Sequence, residues 1–145
     1  MESRVVISQH MLDEVVELLR KCNLPYQDIR LENNLFVSFH DDSGRIIGSG
    51  GLEFYSRFAL LRSVAVDENV RGNSIGKQIV NELLKKAKEK SAYEVYLLTD
   101  TARNFFINRG FMDVGRDNVP NDVKASSEFS SVCPVSASAM VYRIV

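Results

Sequence analysis

The sequence predicts a single α+β domain, in which an antiparallel meander of strands is followed by alternating helix and strand. Three observations predict it: strand-like segments between residues 35 and 66, a long helical pattern over residues 75–87, and short strand and helix signals alternating from residue 95 onward. No repeat, linker or shift of composition divides the chain. Its 145 residues suffice for one core, since a domain of that size buries roughly 68–70% of its unfolded surface.

Residues 5–7 form a short β-branched run. Met11, Val15, Val16, Leu18 and Leu19 then recur at helical spacing, with Ser8 placed as an N-cap. Asn23 suits a helix end and Pro25 interrupts the pattern, after which a second short helix is expected over residues 26–31. Residues 35–40 and 46–54 read as strands, and Asp41, Asp42, Ser43 and Gly44 between them have the chemistry of a hairpin turn. Residues 58–66 return as a third strand and complete a meander. From Ile75, the apolar positions Ile79, Val80, Leu83, Leu84 and Ala87 keep one helical face, while Lys85, Lys86, Lys88, Glu89 and Lys90 fill the solvated remainder. Residues 95–99 read as a buried strand, 102–109 as a short helix closed by Gly110, 112–114 as another strand and 137–145 as the last. The serine-rich stretch 118–134 is too long for a tight turn, and connections of that length are often binding elements.

The 18 Lys+Arg and 19 Asp+Glu nearly cancel, so no whole-chain field draws the protein to nucleic acid or an anionic membrane. No apolar run approaches the roughly 20 residues that span a bilayer, and the N-terminus does not read as a secretion signal; a cytoplasmic protein is expected. Cys22 and Cys133 lie far apart without a CxxC pair, and His10 and His40 are isolated. Free thiols and no metal site are expected.

The informative segment runs Val64-Ala65-Val66-Asp67-Glu68-Asn69-Val70-Arg71-Gly72-Asn73-Ser74-Ile75-Gly76-Lys77, from strand through a glycine-bearing loop into helix. The first amides of a helix lack internal partners and carry partial positive charge, which suits a diphosphate, while glycines let the backbone approach it. Arg71 and Lys77 add local charge. The P-loop motif does not fit: it needs four residues between its glycines and then Lys-Ser/Thr, whereas three separate Gly72 from Gly76 and Gln78 follows Lys77. A strand-to-helix turn with no ligand is the plain alternative for the loop taken alone.

This loop resembles the Q/R-x-x-G-x-G/A pattern of the GNAT acetyltransferases, which falls on Arg71, Gly72, Asn73, Ser74, Ile75 and Gly76. Ser74 stands where the family usually has glycine, which makes the backbone less permissive. Ala102-Arg103-Asn104-Phe105-Phe106-Ile107-Asn108-Arg109-Gly110-Phe111 resembles the family's A-x-x-F-Y-x-x-x-G-F, in the right order and at the right separation. The resemblance covers nearly the whole chain. It implies a mixed, mostly antiparallel sheet flanked by helices, whose parallel portion is splayed to admit pantetheine, and acetyl-CoA as co-substrate. The implied cofactor-binding residues are Val64, Ala65 and Val66, the loop residues Arg71, Gly72, Asn73, Ser74, Ile75, Gly76 and Lys77, and Asn104.

Within that superfamily the chain is most similar to the arsenic-resistance and amino-acid N-acetyltransferases. The similar residues are Gly51-Leu52-Glu53, Leu60-Leu61-Arg62-Ser63-Val64-Ala65-Val66, and a tail containing Val119-Pro120, Glu128-Phe129, Cys133-Pro134, Ser136-Ala137 and Met140. This implies a small amino-acid-like amine as acceptor, for a monomer or homodimer.

Acetyl transfer to nitrogen requires a neutral amine beside the thioester, donors for the developing oxyanion and a departing thiolate. Glu53, a carboxylate in an otherwise apolar strand, is the candidate base, with a solvent-facing glutamate as the alternative. Arg62 is the candidate for an acceptor carboxylate, which arginine binds through two hydrogen bonds. Phe106 occupies the family's usual tyrosine position and cannot donate; Tyr55, Tyr93 and Tyr96 are possible substitutes. A thiol with a pKa of about 8.5 is nevertheless a tolerable leaving group. Cys133 lacks a visible activator, so direct transfer without an acyl-enzyme is expected. Phe106 and Ser74 also motivate a different class, an acyl-CoA-binding sensor that keeps the fold without the chemistry.

Overall fold

The computed structural model describes residues 1–132 and 136–144, the side chains of 131 and 132 apart. In chain order it forms β1 (Glu2–Val5), α1 (Gln9–Lys21), β2 (Asn34–His40), β3 (Ile46–Tyr55), β4 (Phe58–Val66), α2 (Ile75–Glu89), β5 (Glu94–Thr99), α3 (Arg103–Ile107), β6 (Met112–Asp113), α4 (Asn121–Lys124) and β7 (Ser138–Arg143). The strands make one sheet in the order β1-β2-β3-β4-β5-β7-β6. Every neighbouring pair is antiparallel except β4 and β5. This is the mixed, mostly antiparallel sheet that was expected.

Helices cover both faces because the strand residues alternate. Phe36 packs with α1 while Val37 packs with α2, the period of two that a pleated strand imposes. Ser8 starts α1 from an extended conformation, its Oγ accepting from the Met11 amide at 3.2 Å. The helix then buries Leu12, Val15, Leu18 and Leu19 against Phe36 and Ala65. On the opposite face α2 buries Ile79, Val80, Leu83 and Ala87 against Ile47, Leu52 and Leu61. Close approach of α2 to β3 depends on Gly50, where a Cβ would lie 2.4 Å from Leu83 Cδ1.

Three expectations are corrected. Residues 26–31 are not helical but run irregularly through a turn at Gln27 and Asp28; burial of Ile29 under α1 and an ion pair from Asp28 to β4 override local propensity. The first strand lies earlier than residues 5–7, ending at Val5, since the chain must turn into the helix capped by Ser8. The stretch 118–134 is not one open connection: over its described part it forms α4 and a π-helical turn at Glu128–Val132. Val119, Val123 and Phe129 fix it by packing on Leu60, Tyr96 and Val141. Among the described residues, no helix is long and apolar enough to cross a membrane.

The sheet is interrupted where β4 passes its midpoint. Gly51 pairs with Arg62 but Ser49 with Ala65, so Ser63 and Val64 together oppose Gly50. This is a β-bulge. Ser63 adopts φ 60° there, and Ser49 Oγ donates to its carbonyl at 2.9 Å. Parallel pairing of β4 with β5 ends at Leu60 and Tyr96, although the strands continue to Val66 and Thr99. The two strands therefore diverge beyond the last pair, and a cleft opens between them.

Candidate active site

The cleft has a volume of 970 Å³ and is walled by β4 from Leu61 to Val66 and by Leu97, Leu98 and Thr99 of β5. Beyond Leu60, β4 has no β5 partner, so that edge lacks ladder hydrogen bonds, although the Val66 carbonyl accepts from Arg71 Nε. Val64, Ala65 and Val66 all line it.

The loop after β4 is built by local chemistry. Asp67 accepts from the Asn69 amide at 2.9 Å and turns the chain out of the strand. Gly72 at φ 90° and Ser74 at φ 60° bring it back to the start of α2, so serine occupies a left-handed conformation that glycine would adopt freely. The first helical bond runs from the Gln78 amide to the Ser74 carbonyl at 3.2 Å. The amides of Ile75, Gly76 and Lys77 therefore have no helical acceptor. A Cβ at Gly76 would lie 3.3 Å from the Phe105 ring, which makes this a tight approach between α2 and α3. Arg71 donates from Nε to the Val66 carbonyl at 3.1 Å, with Nη2 3.7 Å from Cys22 Sγ.

Of the expected cofactor residues, Arg71, Gly72, Ser74, Ile75, Gly76 and Lys77 line the cleft. Asn73 and Asn104 do not: Asn73 is exposed and donates to the Val70 carbonyl at 3.0 Å, and Asn104 is exposed on α3. Asn108 and Arg109 line it from the same segment instead. Phe106 also reaches the cleft, packed edge-to-face between Phe105 and Phe111 at centroid distances of 5.1 and 5.5 Å.

The other end of the β4 wall is ionic. From Arg62 to Val66 the strand advances on the order of 13 Å. Arg62 is buried, with its side chain 0% exposed. Its Nη1 and Nη2 donate to the two carboxylate oxygens of Asp28 at 2.5 and 2.7 Å, Nη1 also to Glu53 at 3.1 Å, and Nε to Ser63 Oγ at 3.2 Å. Glu128 stands 3.8 Å from Nε. Glu53 accepts a second hydrogen bond from the Tyr55 hydroxyl at 2.8 Å. The structure thus brings Glu53 and Arg62 together, with Arg62 lining the cleft and Glu53 outside the lining. Cys133, the other candidate, lies outside the described residues.

Burial works against the charge on Arg62, but hydrogen bonds to Asp28 and the fields of Glu128, Asp28 and Glu53 outweigh it, and the guanidinium stays protonated. Burial also opposes ionisation of Asp28; the hydrogen bonds and charge of Arg62 win, and its carboxyl is held below the usual range. Burial, then the hydrogen bond to Glu53, raises the Tyr55 hydroxyl. Glu128 goes the other way. Burial pushes it up to about 8, with Arg62 pulling down and Glu53 and Asp28 pushing up.

Sequence reasoning missed Asp28, Arg109 and Glu128. Among the described residues, the buried side-chain polar atoms without a hydrogen-bond partner are Arg109 Nε and Glu128 Oε2, and both residues line this cleft. Unpartnered polar atoms on two residues that line one cavity are an exception that calls for a functional explanation. Both lay inside motifs that resemble the family, but nothing in the spacing singled them out.

A splayed parallel pair, a bulged strand and a helix N-terminus at the mouth define a site for an extended ligand with an anionic end. The sequence model of the Acetyltransferase (GNAT) family matches residues 7–111, and the chain belongs to that family. It is 35% identical to an amino-acid acetyltransferase of Mycobacterium tuberculosis over 81 residues, 54% of this chain and 46% of that one. It is 30% identical to an uncharacterized N-acetyltransferase of Chlorobaculum tepidum over 84 residues, 57% of this chain and 54% of the relative. The chain spans about half the length of these curated relatives. In fold it is similar to N-acetylglutamate synthase from Neisseria gonorrhoeae complexed with coenzyme A and N-acetyl-glutamate, with a TM-score of 0.78 at 14% identity, covering 100% of this chain and 36% of that one.

Proposed function

We propose that this chain transfers the acetyl group of acetyl-CoA directly to the amine of a small amino-acid-like acceptor. The observation that carries this reading is a single cleft with opposite electrostatics at its two ends. At one end are the free amides of Ile75, Gly76 and Lys77 with the charges of Arg71 and Lys77; at the other are three carboxylates around one guanidinium. The first end fits a diphosphate. The edge of β4 that lacks a β5 partner, at Val64, Ala65 and Val66, fits the amides of an extended arm, with the Val66 carbonyl already held by Arg71, and Arg109 adds a cation whose Nε lacks a protein partner. Bound there, acetyl-CoA supplies an activated acetyl group and a thiolate leaving group.

The carboxylate end suits an ammonium. With Glu128 protonated, Asp28 and Glu53 still outnumber Arg62, so the excess field attracts a cationic amine and repels a carboxylate approaching the same point. In this reading Arg62 serves the acceptor through the carboxylates it fixes. The acceptor's proton goes to a carboxyl of that cluster, in which Glu53 is the base candidate read from the sequence. Phe106 cannot donate to the leaving thiolate, which takes its proton from the attacking nitrogen. Amino-acid acceptors are supported by the name of the Mycobacterium tuberculosis relative and by the N-acetyl-glutamate held by the Neisseria gonorrhoeae neighbour. A cytoplasmic location and a monomer or homodimer complete the proposal.

Competing acceptors, compared by kcat/KM, test the acceptor class. Small amino acids and amino-acid-like arsenicals should be acetylated in preference to histone-like peptides and aminoglycosides. If a peptide or aminoglycoside outcompetes every small amino acid, the acceptor assignment is wrong.

A further inference from the structure

Glu128 opens the π-helical turn, is 5% exposed, and has an Oε2 with no hydrogen-bond partner. Its nearest cationic atom, Arg62 Nε, is 3.8 Å away, beyond hydrogen-bonding distance. The other two carboxylates of the cluster are taken up. Asp28 receives both terminal nitrogens of Arg62, and Glu53 receives Nη1 and the Tyr55 hydroxyl. Glu128 lines the cleft, whereas Asp28 and Glu53 do not. A buried carboxyl with one oxygen lacking a donor is costly when ionised, and a second cation beside it would lower that cost.

We propose that Glu128 takes the proton from the acceptor's ammonium. This rests on the acetyltransferase reading and names the proton acceptor within it; Glu53, hydrogen-bonded to Arg62 and Tyr55, is then a positioning residue. The groups facing Glu128 are Arg62 from β4, Glu53 from β3 and Asp28 from the connection after α1. On its own side of the fold, Arg116 lies over the Phe129 ring at 6.0 Å, and α4 carries an exposed Asp122 and a half-buried Lys124. Burial holds the carboxyl near 8 in the free protein, close to the pH at which it must work, as efficient acid–base catalysis requires. An ammonium beside Oε2 supplies the missing cation and favours the ionised form.

The proton inventory balances. An alkylammonium gives one proton to ionised Glu128 and regains its nitrogen lone pair. The nitrogen then bonds to the acetyl carbonyl carbon, and the C–S bond breaks with its electron pair on sulfur. The second nitrogen proton goes to that thiolate. Glu128 returns its proton to water, so the products are an amide, a thiol and one proton.

The test uses Glu128→Gln and Glu53→Gln in the full chain, with acetyl-CoA and whichever amine of the acceptor panel is turned over fastest. Glu128→Gln should lower kcat/KM roughly 10²–10⁴-fold and abolish a wild-type pH limb near 8. Glu53→Gln removes a charge that pushes Glu128 up, so that limb should move to lower pH. A readout without turnover is ¹³C NMR of glutamate δ-carboxyls in the free protein. A signal titrating near 8 should be present in wild type, absent in Glu128→Gln and displaced acidward in Glu53→Gln. Thermal unfolding adds a sign. The folded value lies above the ordinary glutamate value of 4.5, so wild-type stability falls as pH rises from there to about 8. Glu128→Gln should therefore gain on wild type at alkaline but not at acid pH, which also establishes that it folds. If an amine is turned over and Glu128→Gln keeps the limb with kcat/KM within about threefold, far short of a general base's contribution, the assignment to Glu128 fails alone. If no amine is turned over, the acetyltransferase reading fails and the assignment falls with it.

Discussion

Gly72→Val and Gly76→Val should each weaken CoA binding about 10–100-fold while leaving the protein folded, for two different reasons. At Gly72 there is open space, since no atom lies within 4 Å of a Cβ built there, but φ is +90°. A β-branched side chain resists that conformation and would redirect the loop. At Gly76 the backbone is ordinary and the space is not, because a Cβ meets Phe105 Cζ at 3.3 Å. Valine there must push α2 away from α3 or project across the helix amides that face the diphosphate. Gly76→Ala should be milder than Gly72→Ala if the Phe105 ring yields by a few tenths of an ångström. Titration calorimetry with CoA, alongside circular dichroism, checks each case. Unchanged affinity in both valine variants would remove the phosphate-binding role from the loop.

Arg62→Ala should destabilise the fold by about 3–5 kcal/mol, the cost of leaving buried charges without their partner. Arg62 holds Asp28, Glu53 and Glu128 from three separate parts of the chain. The loss has a pH signature. Asp28 has a depressed folded value, so its contribution is present above the ordinary aspartate value of 3.8 and is lost as pH falls. Without the guanidinium all three carboxyls favour protonation, and the variant should recover part of its deficit toward acid pH. Chemical denaturation at neutral pH and near pH 4 measures both terms. A variant as stable as wild type, with only a raised KM for the acceptor, would mean that Arg62 meets the acceptor directly and is not needed to hold the cluster.

The sequence made the meander and the main helix easy to anticipate, because their signals are local. The hairpin at Asp41 to Gly44, the amphipathic face of α2 and the glycine loop each sit within a short window, and their elements begin and end within a residue or two of expectation. The failures are nonlocal. Residues 26–31 have helical composition, but Ile29 is buried under α1 and Asp28 is held by Arg62, contacts that no spacing reveals. The bulge at Ser63 is equally hidden, because a serine in a β-branched run gives no sign of φ 60°. The cleft depends on that bulge and on where β4 and β5 stop pairing. Glu128 belongs to the same category: a carboxylate beside Phe129 in a serine-rich stretch reads as solvated until the turn is folded onto β4.

The central claim is that the cleft transfers an acetyl group and does not merely bind acyl-CoA, as Phe106 and Ser74 would allow. The most direct measurement is thiol release from acetyl-CoA with and without a small amino acid, with the acetylated product quantified in the same sample. The account predicts amine-dependent release, one thiol for each N-acetyl group formed on the amino acid. Tight acetyl-CoA binding with no amine-dependent thiol release across the whole panel would contradict it and leave a binding module in its place.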